Sequence, residues 1–377
     1  MPAPQSLTDL MLYFAPMSQI PQLIYLGRVR IHRSRANLIQ TLHTVEAFEQ
    51  LGVRTTLYLP PWRRNFDATQ WIHAMGIDRP LDVRPSQLLH PRWHFWPFVL
   101  RHRRRLREAD QVYTRVPEIS LALASADIPH HLEVHETDPI ITRRQMDRLV
   151  QYHQQGLLRC IVTTTRVDAD VLIHAGAHPD RTLVGPNGVD VEAFSDVSPF
   201  DPHALDRPRI VYIGKVTRNR GLPIFHALAR TGRYDITLVG DQEDHAPAAV
   251  HLVPFVPHRE VPQWYGRADL ALMPYQPDLY HAKSICPIKL FEAMAAGRPI
   301  IVSNLKPIAE FVEHEKTALL VEPTDAQAWI DAVERLRTDR DLAVTLARNA
   351  KVQSAQHSWL NRAKRIAEKI GLLPLNT

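Results

Sequence analysis

A chain of 377 residues that is 45% hydrophobic and 23% charged has apolar material for two sizeable cores and nothing of the composition of a disordered segment. Its formal net charge of +5 suits an anionic partner, such as a phosphorylated substrate or a lipid headgroup, and does not point to nucleic acid. Only two cysteines, Cys160 and Cys286, are present, which excludes a disulfide framework and a cysteine-rich zinc site and is compatible with a reducing cytoplasm. The opening MPAPQSLTDL has no basic region followed by an apolar stretch, and no apolar run is long enough to span a bilayer, so neither a signal peptide nor a spanning helix is expected.

In chain order, Leu10 to Ala15 is a short apolar run read as a strand, followed by a Pro- and Arg-containing loop. Ser34 can cap a helix running to about Leu51, with Gly52 just past its end. Arg54 to Leu59, Gln111 to Thr114, His131 to Val134 and Cys160 to Thr164 are strand-like, with helical segments between them. After the turn-forming Gly185-Pro186-Asn187-Gly188 the pattern restarts. Strands are expected at Arg209 to Ile213, Asp235 to Val239, Leu270 to Met273, Pro299 to Val302 and Leu319 to Val321. Helices are expected at about 222–231, 260–267, 287–297, 306–313 and 325–338. Two successive βα runs predict an α/β fold of two Rossmann-like domains, with ligands at the carboxyl ends of the strands and in the cleft between the domains.

The segment Ser284 to Val321, SICPIKLFEAMAAGRPIIVSNLKPIAEFVEHEKTALLV, resembles the donor-binding segment of family 4 glycosyltransferases, retaining enzymes of the GT-B fold, which has two Rossmann-like domains facing a central cleft. Three further stretches agree in the same order: Pro186-Asn187-Gly188-Val189-Asp190 with Phe194, Ile213-Gly214-Lys215 with Arg220-Gly221-Leu222, and Ala268 to Pro274. Each stretch alone is weak, and four in order are strong. The resemblance implies an acceptor-binding domain over residues 1–188 and a nucleotide-sugar donor domain over 189–357, with a helix at 358–377 packing back towards the first. It implies transfer of a hexose-type sugar from a nucleotide-diphosphate sugar to a hydroxyl acceptor, with retention, without a metal or other cofactor, and with no nucleic acid partner. A sugar-nucleotide 2-epimerase of related fold and a non-catalytic partner subunit are the rival readings.

Cleaving a sugar–nucleotide bond builds charge on a diphosphate, which fixed cations can stabilise. The resemblance assigns that role to Lys215 and Arg220, with Lys where Arg is common and Arg where Lys is common. It assigns Glu292 to the nucleotide ribose, since a carboxylate accepts two hydrogen bonds from neighbouring hydroxyls. Ser284 stands where the family often has a first glutamate; a serine can hydrogen-bond a sugar hydroxyl but supplies no charge. Lys289, where many members have proline, is either a further cation at the diphosphate or a solvated side chain, and Asn187 of the junction completes the donor set. The resemblance implies that His135, which follows an apolar strand, positions or polarises near the reacting sugar carbon, with Glu136 and Asp138 as weaker candidates.

Asp168-Ala169-Asp170 superficially matches the metal-binding acidic triplet of the other large glycosyltransferase fold, but it lies in a helical stretch and reads as a solvated helix face. No metal site is expected, and no Gly-x-Gly-x-x-Gly occurs. Trp93 to Arg107 mixes aromatics with a dense basic run, and two readings stand: peripheral contact with the anionic inner face of a membrane, or a domain helix with a solvated basic face. Arg28, Arg30, Arg33 and Arg35 can alternatively face an anionic acceptor in the cleft.

Overall fold

The computed structural model describes residues 20–33, 36–89 and 95–374. The strand expected at Leu10 to Ala15, the cap residue Ser34, Arg35 and the first two residues of the basic segment, Trp93 and His94, lie outside them.

Two parallel sheets carry the fold. The first contains β1 (Gln22–Leu26), β2 (Arg54–Leu59), β3 (Asp82–Pro85), β4 (Gln111–Thr114), β5 (His130–Val134), β6 (Leu158–Thr163) and β7 (Thr182–Val184), in the order β3-β2-β1-β4-β5-β6-β7. The second contains β8 (Arg209–Ile213), β9 (Asp235–Val239), β10 (His251–Val253), β11 (Leu270–Met273), β12 (Ile300–Ser303) and β13 (Leu319–Val321), in the order β10-β9-β8-β11-β12-β13. Both orders reverse direction once, between β1 and β4 and between β8 and β11, and a doubly wound sheet opens a crevice outside its strand ends at that place.

The interior strands are short apolar runs because helices cover both faces, and β11 and β12 are buried throughout. β1 corrects the expectation of a loop after Ala15: Gln22–Leu26 is a central strand bounded by Pro21 and Gly27, and four of its five residues are buried. β3, β7 and β10 are edge strands with little burial, so they carry no apolar run to betray them. The helix expected at 306–313 is only a 3-10 turn, Ile308–Glu310, while the helix Arg340–Ser354 was not anticipated.

The chain crosses from one sheet to the other at 185–189 and comes back at 357–359, and the two crossings lie side by side. The Val189 N–H donates to the His357 carbonyl at 2.9 Å, and the Trp359 N–H to the Val189 carbonyl at 3.2 Å. Gly188 permits this approach, since a Cβ there would lie 2.9 Å from the His357 carbonyl and the Trp359 nitrogen. Ser358 then caps the helix Trp359–Lys369 by accepting from the Asn361 N–H at 3.1 Å. Trp359, Ala363, Ile366, Ala367 and Ile370 recur at helical spacing, and all five are buried in one core with Leu38, Leu42 and Val45 of the helix Ala36–Gln50. Each fully buried aliphatic side chain contributes about 1.5–3 kcal/mol, so the last helix is an integral part of the first sheet's core.

Candidate active site

The crevice between β8 and β11 gathers the basic side chains Lys289 and Arg220. β8 ends at Ile213, and Gly214 follows with φ +144, its N–H donating to the Val239 carbonyl at 2.7 Å. A Cβ on Gly214 would collide with Nζ of Lys289, which reaches the loop from the first turn of the helix Ile288–Ala295. Among the described residues that Nζ is buried without a hydrogen-bond partner, 4.1 Å from the Tyr212 ring centre and 5.8 Å from that of Tyr275. Burial, and then the charge of Arg220, pull Lys289 well below the ordinary lysine value, with Glu292 opposing. Arg220 ends the 3-10 turn Arg218–Arg220 and is in no ion pair among the described residues. His281 is pushed down to about 4 by burial and by the same two cations. Cation–π contact offsets only part of the cost of an unpaired buried ammonium. The helices Leu222–Arg230 and Ile288–Ala295 also begin here, and their first-turn N–H groups favour negative charge. The chemistry this arrangement suits is binding of a compact, multiply charged anion.

Lys215 is not brought into this cluster. Its Nζ pairs with Glu243 on a half-exposed flank, while its carbonyl accepts from the Tyr212 hydroxyl at 3.0 Å. Glu292 is buried one helical turn beyond Lys289, and its Oε1 accepts from His258 Nε2 at 2.7 Å. His258 Nδ1 lies 3.1 Å from the Met75 carbonyl of the first half of the chain. Both partners accept, so both ring nitrogens donate and the ring is an imidazolium. Burial opposes that charge, but the Glu292 hydrogen bond and carboxylate outweigh it and raise His258 above its ordinary value. The link therefore contributes fully below the unfolded histidine value of about 6.5 and is lost as pH rises through the raised folded value. The expected result is that the stability difference between wild type and His258→Ala, measured by denaturant unfolding, shrinks as pH is raised from about 6. A difference that stays constant or grows with pH contradicts this assignment.

On the opposite wall, β5 delivers Glu133 and His135. Glu133 is fully buried, and its Oε1 is 2.6 Å from His135 Nε2, 2.6 Å from Gln40 Nε2 and 2.7 Å from Arg362 Nη2, while Oε2 accepts from the Tyr113 hydroxyl at 2.6 Å. Arg362 comes from the last helix, donating also to the Pro186 carbonyl at 2.9 Å and to Thr44 Oγ1 at 3.0 Å. Because the Glu133 carboxylate accepts a hydrogen bond from Nε2–H, a neutral His135 presents Nδ1 as an acceptor. Burial, and then Arg115, lower His135 to about 4 against the pull of Glu133, so it is neutral near pH 7. Glu136 is raised by burial and then by Asp168, and Asp138 lies 3.9 Å from Lys283 Nζ.

The two walls meet at Ser284. Its Oγ donates to Asp168 Oδ1 at 2.8 Å, and Asp168 is completely buried. This corrects the expectation of a solvated face for Asp168: the first turn of the helix Arg166–His174 is turned towards the second half of the chain, not towards solvent. Asn187 donates from its backbone to Cys286 Sγ at 3.3 Å and from Nδ2 to the Cys286 carbonyl at 2.7 Å, which ties the crossing to the same loop. Arg28, Arg30 and Arg33 are exposed beyond the carboxyl end of β1. In the helix Trp96–Glu108, Pro97 lies in the first turn, Phe98, Val99 and Leu106 are buried, and Trp96, Leu100 and five arginines are exposed. Among the described residues, no group of three or more His, Cys, Asp or Glu side chains is placed to hold a metal ion, and no helix is long and apolar enough to cross a membrane.

Residues 207–339 match the family model described as "Glycosyl transferases group 1". The D-inositol 3-phosphate glycosyltransferase of Pseudarthrobacter chlorophenolicus is 25% identical over 233 residues, 55% of this chain and 54% of its own. The amylovoran biosynthesis glycosyltransferase AmsK of Erwinia amylovora is 29% identical over 220 residues, 53% of each chain. The chain thus spans about half the length of the curated relatives it matches. Among solved structures, Anabaena Alr3699/HepE in complex with UDP superposes with a TM-score of 0.71 at 17% identity, covering 93% of this chain and 100% of that one. The sucrose-phosphate synthase of Thermosynechococcus elongatus gives 0.73 at 18%, covering 92% and 98%. Residues 207–339 are thus similar in sequence to group 1 glycosyltransferases, and the chain shares the GT-B fold of those solved structures.

Its two parallel sheets are the two Rossmann-like halves of the GT-B architecture. Of the residues singled out from the sequence, Arg220, Lys289 and Glu292 line the β8 side of this glycosyltransferase fold, Ser284 and Asn187 hold the loop before the Ile288–Ala295 helix, and His135 stands on the β5 wall. Lys215 stands apart, on its ion pair with Glu243. Sequence reasoning missed His258, Glu133, Arg362 and the burial of Asp168. His258 had one signal, its position just after Pro257 in the loop that follows β10, at a strand's carboxyl end.

Proposed function

We propose that this chain transfers a hexose-type sugar from a nucleoside-diphosphate sugar to a hydroxyl acceptor, with retention and without a metal ion. The observation that carries this reading is the buried Lys289 amine, without a hydrogen-bond partner among the described residues, packed against Gly214 beside Arg220, where a bound anion would favour its charged form. A diphosphate seated there would supply the missing partner and would gain charge as the sugar leaves, when two fixed cations are most effective. Glu292 uses only Oε1 for His258 among the described residues, which leaves Oε2 for a ribose hydroxyl. His135, held through Nε2, would offer Nδ1 to a hydroxyl at the reacting end. Anabaena HepE is found in crystal structures in complex with UDP, with UDP and glucose, and with UDP-glucose, which supports uridine nucleotides as the first to try.

The test is thermal unfolding with UDP, GDP and ADP and their glucose or mannose conjugates, with and without EDTA. A ligand at about 100 times its dissociation constant adds about 2.7 kcal/mol of stability. One nucleoside diphosphate should protect equally well in EDTA, and NMR of the product made from its sugar conjugate should show the donor's anomeric configuration. Protection by none of them overturns the reading.

The site of action we propose is the cytoplasm, at the inner face of a membrane, with the helix Trp96–Glu108 lying on anionic lipid through Trp96, Leu100 and its arginines. Anionic vesicles should carry the protein in flotation at low salt and release it at high salt, while neutral vesicles do not. Equal behaviour with both vesicle types leaves the helix a solvated surface.

A further inference from the structure

Asp168 joins the two halves of the chain in a way that the functional reading does not use. Its carboxylate accepts four hydrogen bonds, all from neutral groups: the Thr137 N–H at 3.0 Å, Thr137 Oγ1 at 2.9 Å and Ser284 Oγ at 2.8 Å on Oδ1, and Thr165 Oγ1 at 2.7 Å on Oδ2. No cation pairs with it among the described residues. Thr137 is two residues past His135, and Ser284 five residues before Lys289. The path Thr137–Asp168–Ser284 therefore runs from the histidine loop to the lysine loop.

A second contact grips the same helix from the same side. Glu310, in the second half, accepts from the Arg166 N–H at 2.6 Å and from the Val167 N–H at 3.0 Å, while Thr165 Oγ1 takes the Asp168 N–H at 3.2 Å. All three N–H groups of the first turn of Arg166–His174 are thereby satisfied, two of them from across the interface. The dipole at this helix end favours the Asp168 charge, although burial pushes its pKa up against the opposing hydrogen bonds and Glu136 stands nearby. The space around Asp168 is closed, as Asp168 is fully buried and Ser284 nearly so. A glutamate at 284 would bring a second carboxylate against the first, and two such groups in one dry space cannot both ionise. Position 284 and position 168 can hold one negative charge between them.

We propose that Asp168 is a positioning residue, which reaches from the first half of the chain to Ser284 and so holds the loop before Ile288–Ala295, and with it Lys289, in register with His135. The role in turnover rests on the donor site proposed above, whereas the closure of the two halves does not, and the experiment reads both. Three variants serve: Asp168→Asn, Ser284→Glu, and the swap D168S/S284E. The readouts are the radius of gyration from small-angle scattering and turnover of the sugar nucleotide found in the thermal screen.

S284E should enlarge the radius and lower turnover roughly tenfold or more, with the swap restoring the compact radius and recovering most of the activity, because residues in contact are energetically coupled. D168N, which keeps shape but not charge, should lower kcat with little change in the affinity of the free nucleoside diphosphate, since that ligand's cations lie wholly in the second half. A compact, fully active S284E, or a swap no better than S284E, overturns the proposal. If no nucleotide binds the wild type, the donor site is wrong, while the scattering series alone still decides whether Asp168 and Ser284 close the cleft.

Discussion

Lys289→Met should lower turnover roughly 100- to 1000-fold, the usual cost of removing one preorganised charge-stabilising group, and should leave the unfolding midpoint unchanged or higher. The two halves of this result come from one fact. The amine is buried with no hydrogen-bond partner among the described residues, and an unsatisfied buried donor costs about 1–3 kcal/mol. Methionine removes that cost while filling a similar volume between the Tyr212 and Tyr275 rings. A residue kept for packing behaves in the opposite way, losing stability first. Arg220→Ala should slow turnover comparably, and the double variant should lose less than the product of the two, because both cations act on one diphosphate. Lys215→Ala should have a smaller effect, since its Nζ must leave Glu243 before it can reach the site. Steady-state kinetics on the four variants orders these effects, and a Lys215 effect exceeding that of Lys289 would reverse the assignment.

Arg362→Met should destabilise the protein by about 3–5 kcal/mol, the cost of leaving a buried charge without its partner. Glu133 loses its cation and stays buried with Tyr113, Gln40 and His135. The double variant Glu133→Gln/Arg362→Met should recover most of the loss, because the uncompensated charge goes with its partner. Burial alone would raise the Glu133 carboxyl, yet Arg362, His135 and Arg115 hold it well below the usual range. A depressed folded pKa gives stability that is present above the unfolded carboxylate value of about 4.3 and lost as pH falls through the folded one. Wild type should thus lose its advantage over the double variant on acidification. Urea unfolding at neutral and acid pH measures both effects, and an Arg362→Met variant as stable as wild type would remove the pair from the core.

The central strands of the second sheet were readable because each is an apolar run between turn residues, and the helix carrying Lys289 and Glu292 was readable from its apolar stretch. β1 was not, although QLIYL between Pro21 and Gly27 carries the same signal, because the upstream LMLYFA, outside the described residues, is the more apolar run. Chemistry was harder to read than fold for a physical reason. A helix pattern shows which residues share a face but not what that face meets, so Asp168 reads as solvated until the second half of the chain covers it. Lys215 and Lys289 are equivalent as letters, and only packing tells a cation that has found a carboxylate from one that has found none. Glu133 and Arg362 come from opposite ends of the sequence and pair only because the last helix returns to the first sheet.

The central claim is that a diphosphate sits between Lys289 and Arg220. Isothermal titration of UDP, GDP and ADP, each against its monophosphate, tests it in wild type and Lys289→Met. Wild type should bind one diphosphate about ten- to a hundredfold more tightly than the matching monophosphate, as expected for one or two charge-assisted hydrogen bonds at about 1.5–3 kcal/mol, and Lys289→Met should lose most of that difference while keeping its affinity for the monophosphate. A variant that retains the full preference for the diphosphate would place the phosphates elsewhere and contradict the account.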